Sequence, residues 1–350
     1  LKDMKRYLNC GANPSVKNFK DETPLMAATE KGDRNMIKLL SLYGANLYEI
    51  DPSTGNSLLH IAVQNKQPDT ALFLIASGID CNLVNKKNQT VIHTSVEYCP
   101  ELISIFIAKG GDFNQPDIDG NTPLHFAMKN KEFEKKPTLF DLLFENCSTI
   151  DSLNEDGQTA LHVASQMGHL SLMRQLLDNG CDHRIKDKYG GGFGSYAVIS
   201  GNLEVFKFAW KYLGNKTASE LSHIVYRAIE SDRFNIIEFL IEEKVSVESV
   251  FFHDKSSITI AAEFGQTRIL QRLLHCNSPK LLTANKQHAV EFSVTNKWLN
   301  SLKALVKYDP GCLGYTTKDQ ETLLHLAVKS KALMIVAWLI KNGVDINQQS

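Results

Sequence analysis

No apolar run of 18 or more residues occurs in this 350-residue sequence, which excludes a membrane-spanning helix and direct insertion into a bilayer. No charge sign dominates. Lys and Arg total 38 against 39 Asp and Glu, a net charge of −1, so no nucleic-acid partner is expected. No Cys-x-x-Cys pair is present, and the seven cysteines are odd in number. That usage fits reduced thiols in the cytoplasm better than a disulfide framework. Nothing at the N-terminus has the pattern of a signal peptide, so the sequons at Asn88, Asn146 and Asn215 carry little weight. The glycine run Gly190-Gly191-Gly192-Phe193-Gly194 lacks the Gly-Lys-Ser/Thr ending of a phosphate-cradling loop, so it reads as a degenerate turn. No cofactor is expected.

What the chain does have is one phrase, returned to again and again. Ser57-Leu58-Leu59-His60-Ile61-Ala62, Thr122-Pro123-Leu124-His125-Phe126-Ala127, Thr159-Ala160-Leu161-His162-Val163-Ala164 and Thr322-Leu323-Leu324-His325-Leu326-Ala327 are close copies. Thr90-Val91-Ile92-His93-Thr94-Ser95 is a weaker one, and Thr23-Pro24-Leu25-Met26-Ala27-Ala28 lacks only the His. With Gly192, His223, Ser256 and His288 as further anchors, the steps run from 31 to 37 residues. Thr or Ser opening the phrase suits a helix N-cap, and Pro suits the first helical position. An apolar run such as Met36-Ile37-Lys38-Leu39-Leu40 follows as a second helix, closed by a Gly such as Gly44 or Gly180. Asp119-Gly120 and Asp156-Gly157 signal tight turns between units.

A helical repeat near 33 residues carrying Thr-Pro-Leu-His-x-Ala, with tails such as Gly44-Ala45-Asn46, Gly78-Ile79-Asp80, Gly180-Cys181-Asp182 and Gly343-Val344-Asp345, resembles the ankyrin repeat. The resemblance implies an all-α solenoid over residues 1–350: about ten stacked helix-turn-helix units and a partial one before them, with projecting β-turn or hairpin fingers. The phrase decays over about 186–315, where local stability should dip. The fourth unit is long, which places an inserted loop at about 130–137; its Phe133 is either a docking knob or folds back onto its own helices. The chain starts inside a repeat and ends where another could begin, so a fragment of a longer protein is expected.

No Ser/His/Asp or Cys/His set stands outside the repeat pattern, so an enzyme is not expected. His60, His93, His125, His162 and His325 recur one per unit, at spacings of about 10 Å for packed helices, too far apart to converge on one metal ion. They read as structural. The resemblance instead implies a scaffold or adaptor that binds a protein or peptide on its concave face and finger tips. Carried over copy by copy, the candidate binding residues are Phe19, Lys86, Lys87, Tyr98, Ile118, Lys129, Met167, Tyr189 and Phe264. Tyr98, Met167, Tyr189 and Phe264 are either anchors for a partner or fillers between neighbouring units. Lys86, Lys87, Lys129 and Lys131 form either a basic patch or a solvated face. The alternative function is a recognition arm of a larger enzyme, channel or microbial effector whose active domain lies elsewhere.

Overall fold

In the computed structural model the described residues are 1–214, 216–247, 250–276, 283–317 and 319–344. Asn215 of the third sequon and Asp345 of the last repeat tail lie outside them. The regular structure is almost all helix, and the chain divides into two compact units, 1–188 and 189–350.

In the first unit, a helix at Lys2–Asn9 precedes a series of helix pairs. These are Pro24–Glu30 with Arg34–Leu42, Leu58–Gln64 with Pro68–Ala76, Val91–Tyr98 with Ile103–Ala108, Pro123–Ala127 with Pro137–Phe144, and Ala160–Met167 with Leu170–Asp178. Helices of five to nine residues are too short to persist alone in water. They persist because each pair packs on the next, as when Leu25, Ile37, Leu40, Leu58, Leu59 and Leu74 lose all contact with solvent. Each such side chain contributes about 1.5–3 kcal/mol by burial.

Between pairs the chain projects as a finger. Antiparallel bridges Ile50↔Ser57 and Val84↔Thr90 close two of them. Successive fingers are joined by backbone bonds: Lys86 N–H donates to Thr54 O (3.0 Å), Ile118 N–H to Lys87 O (2.9 Å) and Glu155 N–H to Asp119 O (2.8 Å).

The fourth unit differs from expectation. The segment expected as a loop over 130–137 contains a helix, Lys131–Lys135, capped by the Asn130 side chain, which accepts from Glu132 N–H at 3.0 Å. Phe133 is fully buried, so it is part of the core and no docking knob. The reason is tertiary. One aromatic among charges has too little periodicity to announce a helix, yet burying its ring offsets the cost of ordering the turn.

In the second unit, pairs form from Phe193–Ser200 with Leu203–Tyr212, Ala218–Glu230 with Phe234–Glu242, Ser257–Glu263 with Thr267–His275, Thr283–Thr295 with Leu299–Tyr308, and Leu323–Lys329 with Leu333–Lys341. A real hairpin, Phe251–Phe252 with Lys255–Ser256, projects before Ser257–Glu263. The anchors His223 and His288 do not begin helices. Both lie inside 13-residue helices, Ala218–Glu230 and Thr283–Thr295, which extend toward the N-terminus over residues that elsewhere make a finger. For the first of these the cause is explicit in the sequence: Thr217 and Glu220 form a full capping box, with Thr217 N–H donating to Glu220 Oε2 at 2.9 Å and Glu220 N–H to Thr217 Oγ1 at 3.2 Å.

Candidate protein-binding groove

The recurring histidines come first, because they hold the fingers that present the groove. In Ser57/His60, Thr90/His93, Thr122/His125, Thr159/His162 and Thr322/His325, the His stands at the third helical position and completes a capping box. Its Nδ1 accepts from the backbone N–H of the Ser or Thr, at 3.3, 3.1, 3.2, 3.1 and 3.3 Å in chain order. An Nδ1 that accepts leaves the proton of a neutral imidazole on Nε2. That Nε2–H donates across to the next unit: His60 to Gln89 O (3.0 Å), His93 to Asn121 O (3.1 Å) and His125 to Gln158 O (3.0 Å). Burial pushes His60 down to about 4 and lowers His93 and His125. Where Met26 replaces the His, Thr23 Oγ1 donates instead to the Glu49 carboxylate of the following finger.

Each acceptor carbonyl lies at the base of a finger whose turn is set by a side-chain acceptor. Asn85 Oδ1 takes the N–H groups of Lys87 (2.9 Å) and Gln89 (3.0 Å). Asp117 Oδ1 takes those of Asp119 (3.0 Å) and Asn121 (2.8 Å). Amides then link finger to finger, with Asn85 Nδ2 donating to Asn56 Oδ1 (3.0 Å), and finger to helix, with Asn56 Nδ2 donating to Gln64 Oε1 (3.2 Å). Gly55, at φ +76°, allows the Lys86 backbone to come this close: a Cβ there would stand 2.7 Å from Lys86 N.

These fingers and the first helices behind them enclose a groove of about 500 Å³, lined among others by Lys86, Lys87, Glu97, Tyr98 and Phe126. The Lys86 ammonium is tethered to Pro52 O at 2.6 Å. Burial and the neighbouring Glu97 raise the Tyr98 hydroxyl above the usual tyrosine range. Phe126 is half-buried, edge-on to His93 at 5.4 Å between ring centroids, with Lys129 Nζ 5.5 Å from its own centroid. A second cavity, of about 350 Å³, continues along the same wall past Lys129 and Lys131.

Of the residues singled out in the sequence, Lys86, Lys87 and Tyr98 line the first cavity and Lys129 the second. Phe19 (93% exposed), Ile118 and Met167 are exposed on the first unit but line neither cavity. Tyr189 is exposed at the start of the second unit. Phe264 packs edge-on against Tyr226 at 6.0 Å, and Phe252 stacks on the same ring at 4.2 Å, so Phe264 fills a gap between neighbouring pairs. Phe126 was not among the candidates. It occupies the x of Thr-Pro-Leu-His-x-Ala, which capping leaves free but packing buries in some copies (Val163 and Leu326), so only its bulk among smaller x residues was an available signal.

Among the described residues no group of three or more His, Cys, Asp or Glu is placed to hold a metal ion, and no helix is long and apolar enough to cross a membrane. Burial pushes the Cys99 thiol up to about 11 and those of Cys147 and Cys181 to about 12, which leaves them protonated and unreactive at neutral pH.

A family model described as ankyrin repeats (3 copies) matches residues 2–85, 59–146, 92–187, 133–209 and 258–350. The B-cell lymphoma 3 protein homolog of Mus musculus is 28% identical over 178 residues, which are 49% of this chain and 39% of that protein. Inversin of Canis lupus familiaris is 29% identical over 176 residues, 48% of this chain and 16% of that protein. The ankyrin repeat and KH domain-containing protein mask-1 of Caenorhabditis elegans is 20% identical over 359 residues, 98% of this chain and 12% of that protein. The chain thus spans well under half the length of each of these relatives.

Proposed function

The chain belongs to the ankyrin-repeat family, and from that premise we propose that it is a protein-interaction scaffold whose principal contact surface is the groove between the fingers and first helices of residues 53–131. One observation carries the reading. Lys86, Lys87 and Tyr98 of the third repeat and Phe126 of the fourth meet in one groove of about 500 Å³, which Ser53, Thr54 and Asn56 of the preceding finger help to line, on a backbone held by inter-repeat hydrogen bonds. A preformed surface with aromatic anchors and little ordering left to do is what a peptide or protein partner needs. The histidines belong to the scaffold in this reading, with no catalytic or metal-binding part. Seven cysteines, an odd number with no Cys-x-x-Cys pair, support a reducing compartment, the cytoplasm.

The test is capture of proteins from an extract of the source cells by the intact chain, alongside Tyr98→Ala/Phe126→Ala and, as a control away from the groove, Met167→Ala. The double variant should lose at least one partner that both the intact chain and Met167→Ala retain. Identical protein sets from all three would remove the groove from the interaction. A second reading, a recognition arm of a longer enzyme, channel or effector, is favoured by the short share of each relative that the chain spans. A transcript from the source cells that extends the reading frame into a catalytic or membrane-spanning domain would establish it, and one that extends into neither would remove it.

A further inference from the structure

The two cavities share a wall. Glu97 and Phe126 line both, with Lys86 and Lys87 on one side and Lys129 and Lys131 on the other. All four lysines and Glu97 are exposed. Four positive charges against one negative is a local excess opposite in sign to the chain's net charge of −1. The rest of the first cavity's lining includes the carboxamides of Asn56, Gln64, Asn85 and Gln89, and its apolar part is the Tyr98 and Phe126 rings.

We propose that this double groove takes an acidic peptide segment: a bulky apolar side chain seated against Tyr98 and Phe126, with Asp or Glu carboxylates on either side of it meeting the lysine pairs. This rests on the reading that the groove is the protein-binding surface. Three features favour an acidic peptide over a nucleic acid. No arginine lines either cavity, and the planar, bidentate match to phosphate is an arginine property. The carboxamides of Asn56 and Gln64, already bonded to each other, keep a second N–H and a second lone pair, the complement of an extended peptide backbone. Lys129 lies over the Phe126 ring, which covers a face that a base would otherwise stack on. The Pro52 tether on Lys86 holds one ammonium in place before any ligand arrives, which lowers the ordering cost of binding. Glu97 works against the ligand. It sits between the lysine pairs, and it makes the groove select for carboxylates placed to either side of the central apolar residue rather than at it.

Selection of random dodecapeptides on the intact chain tests this. Peptides enriched in Asp and Glu around one bulky apolar residue are expected. A synthetic peptide of that kind should lose at least about tenfold in affinity for Lys87→Glu/Lys129→Glu, whose thermal melt should match the parent's, because reversing charges at an interface adds repulsion to lost attraction. It should gain about threefold for Glu97→Gln, a modest step because the group is solvated, and its binding should weaken with salt. Enriched peptides with no acidic excess would overturn the acidic ligand and leave the protein-binding groove standing. Peptides retained equally by Tyr98→Ala/Phe126→Ala would overturn the groove itself. A poly-uridine dodecamer that binds more tightly than the acidic peptide, with the same lysine dependence, would overturn the proposal in favour of nucleic acid.

Discussion

One proton decides the link that each buried histidine makes. Ser57 N–H can donate to His60 Nδ1 only while that nitrogen is bare, and Nε2–H must remain to reach Gln89 O. Burial enforces the neutral form by pushing His60 to about 4, below the ordinary value near 6.5, and His93 and His125 move in the same direction. The unfolded chain therefore binds more protons than the folded one between about pH 6.5 and 4. Stability is fully present above that window and falls as pH drops through it. His60 alone accounts for about 3 kcal/mol at most. Glu49 opposes the trend, since its burial raises its carboxyl. Urea midpoints measured at pH 7.5, 6 and 5 should decline in that order, and His60→Gln should flatten the decline while lowering the value at pH 7.5. Equal midpoints at pH 7.5 and 5 would mean that the imidazoles are not held neutral.

At the scale of a helix pair, stacking depends on glycines that let the next pair come close. Gly265 ends Ser257–Glu263 at φ +71°, and a Cβ there would overlap the Trp298 indole. The same indole donates from Nε1 to Glu263 O at 3.1 Å. Equivalent carbonyls receive other donors: Glu97 O from Asn130 Nδ2 (3.3 Å) and Ile199 O from Arg233 Nη2 (2.8 Å). Gly265→Ala should cost about 1–2 kcal/mol for the left-handed backbone alone, and more for the displaced indole. In a Trp298→Ala background only the backbone share should remain, so a double-mutant cycle in chemical denaturation should show coupling between the two sites. Additive costs would separate glycine from indole. Much at this scale was legible in the sequence. The capping phrase located the first helices of most repeats, and Thr217-x-x-Glu220 was an equally plain start signal that the repeat register overrode. The Lys131–Lys135 helix was not legible, because one aromatic among charges carries no helical period; only its packing on Pro137–Phe144 and Leu170–Asp178 decides between a knob and a fold-back. The groove was half legible. The repeat pattern pointed to Lys86, Lys87, Tyr98 and Lys129, but not to Phe126, and it left Phe264 open between partner anchor and filler, where the structure shows it against Tyr226.

Across the whole molecule, stability in a stack of repeats is a sum of nearest-neighbour terms, so it varies from place to place with the links each repeat makes. In the first unit those links fall on the fingers as well as the helices. Lys86, Ile118 and Glu155 each donate a backbone N–H to the preceding finger, and His60, His93 and His125 add a bond at each finger base. In the second unit two first helices run on where a finger would stand. The hairpin at Phe251–Ser256 is held largely by rings, Phe252 on Tyr226 at 4.2 Å and against His223 at 5.1 Å. A two-residue ladder inside one hairpin, tied to its neighbour by rings, can open without disturbing the stack, whereas a finger-to-finger N–H bond breaks only when two repeats part. Hydrogen exchange at neutral pH should therefore find the amides of Lys86, Ile118 and Glu155 protected well above those of the Phe251–Ser256 hairpin. Average protection over 190–315 should lie below that over 55–165. Uniform protection across both stretches would show that the decayed phrases cost the stack nothing, and that side-chain links such as Arg233 to Ile199 replace the lost histidine bonds in full.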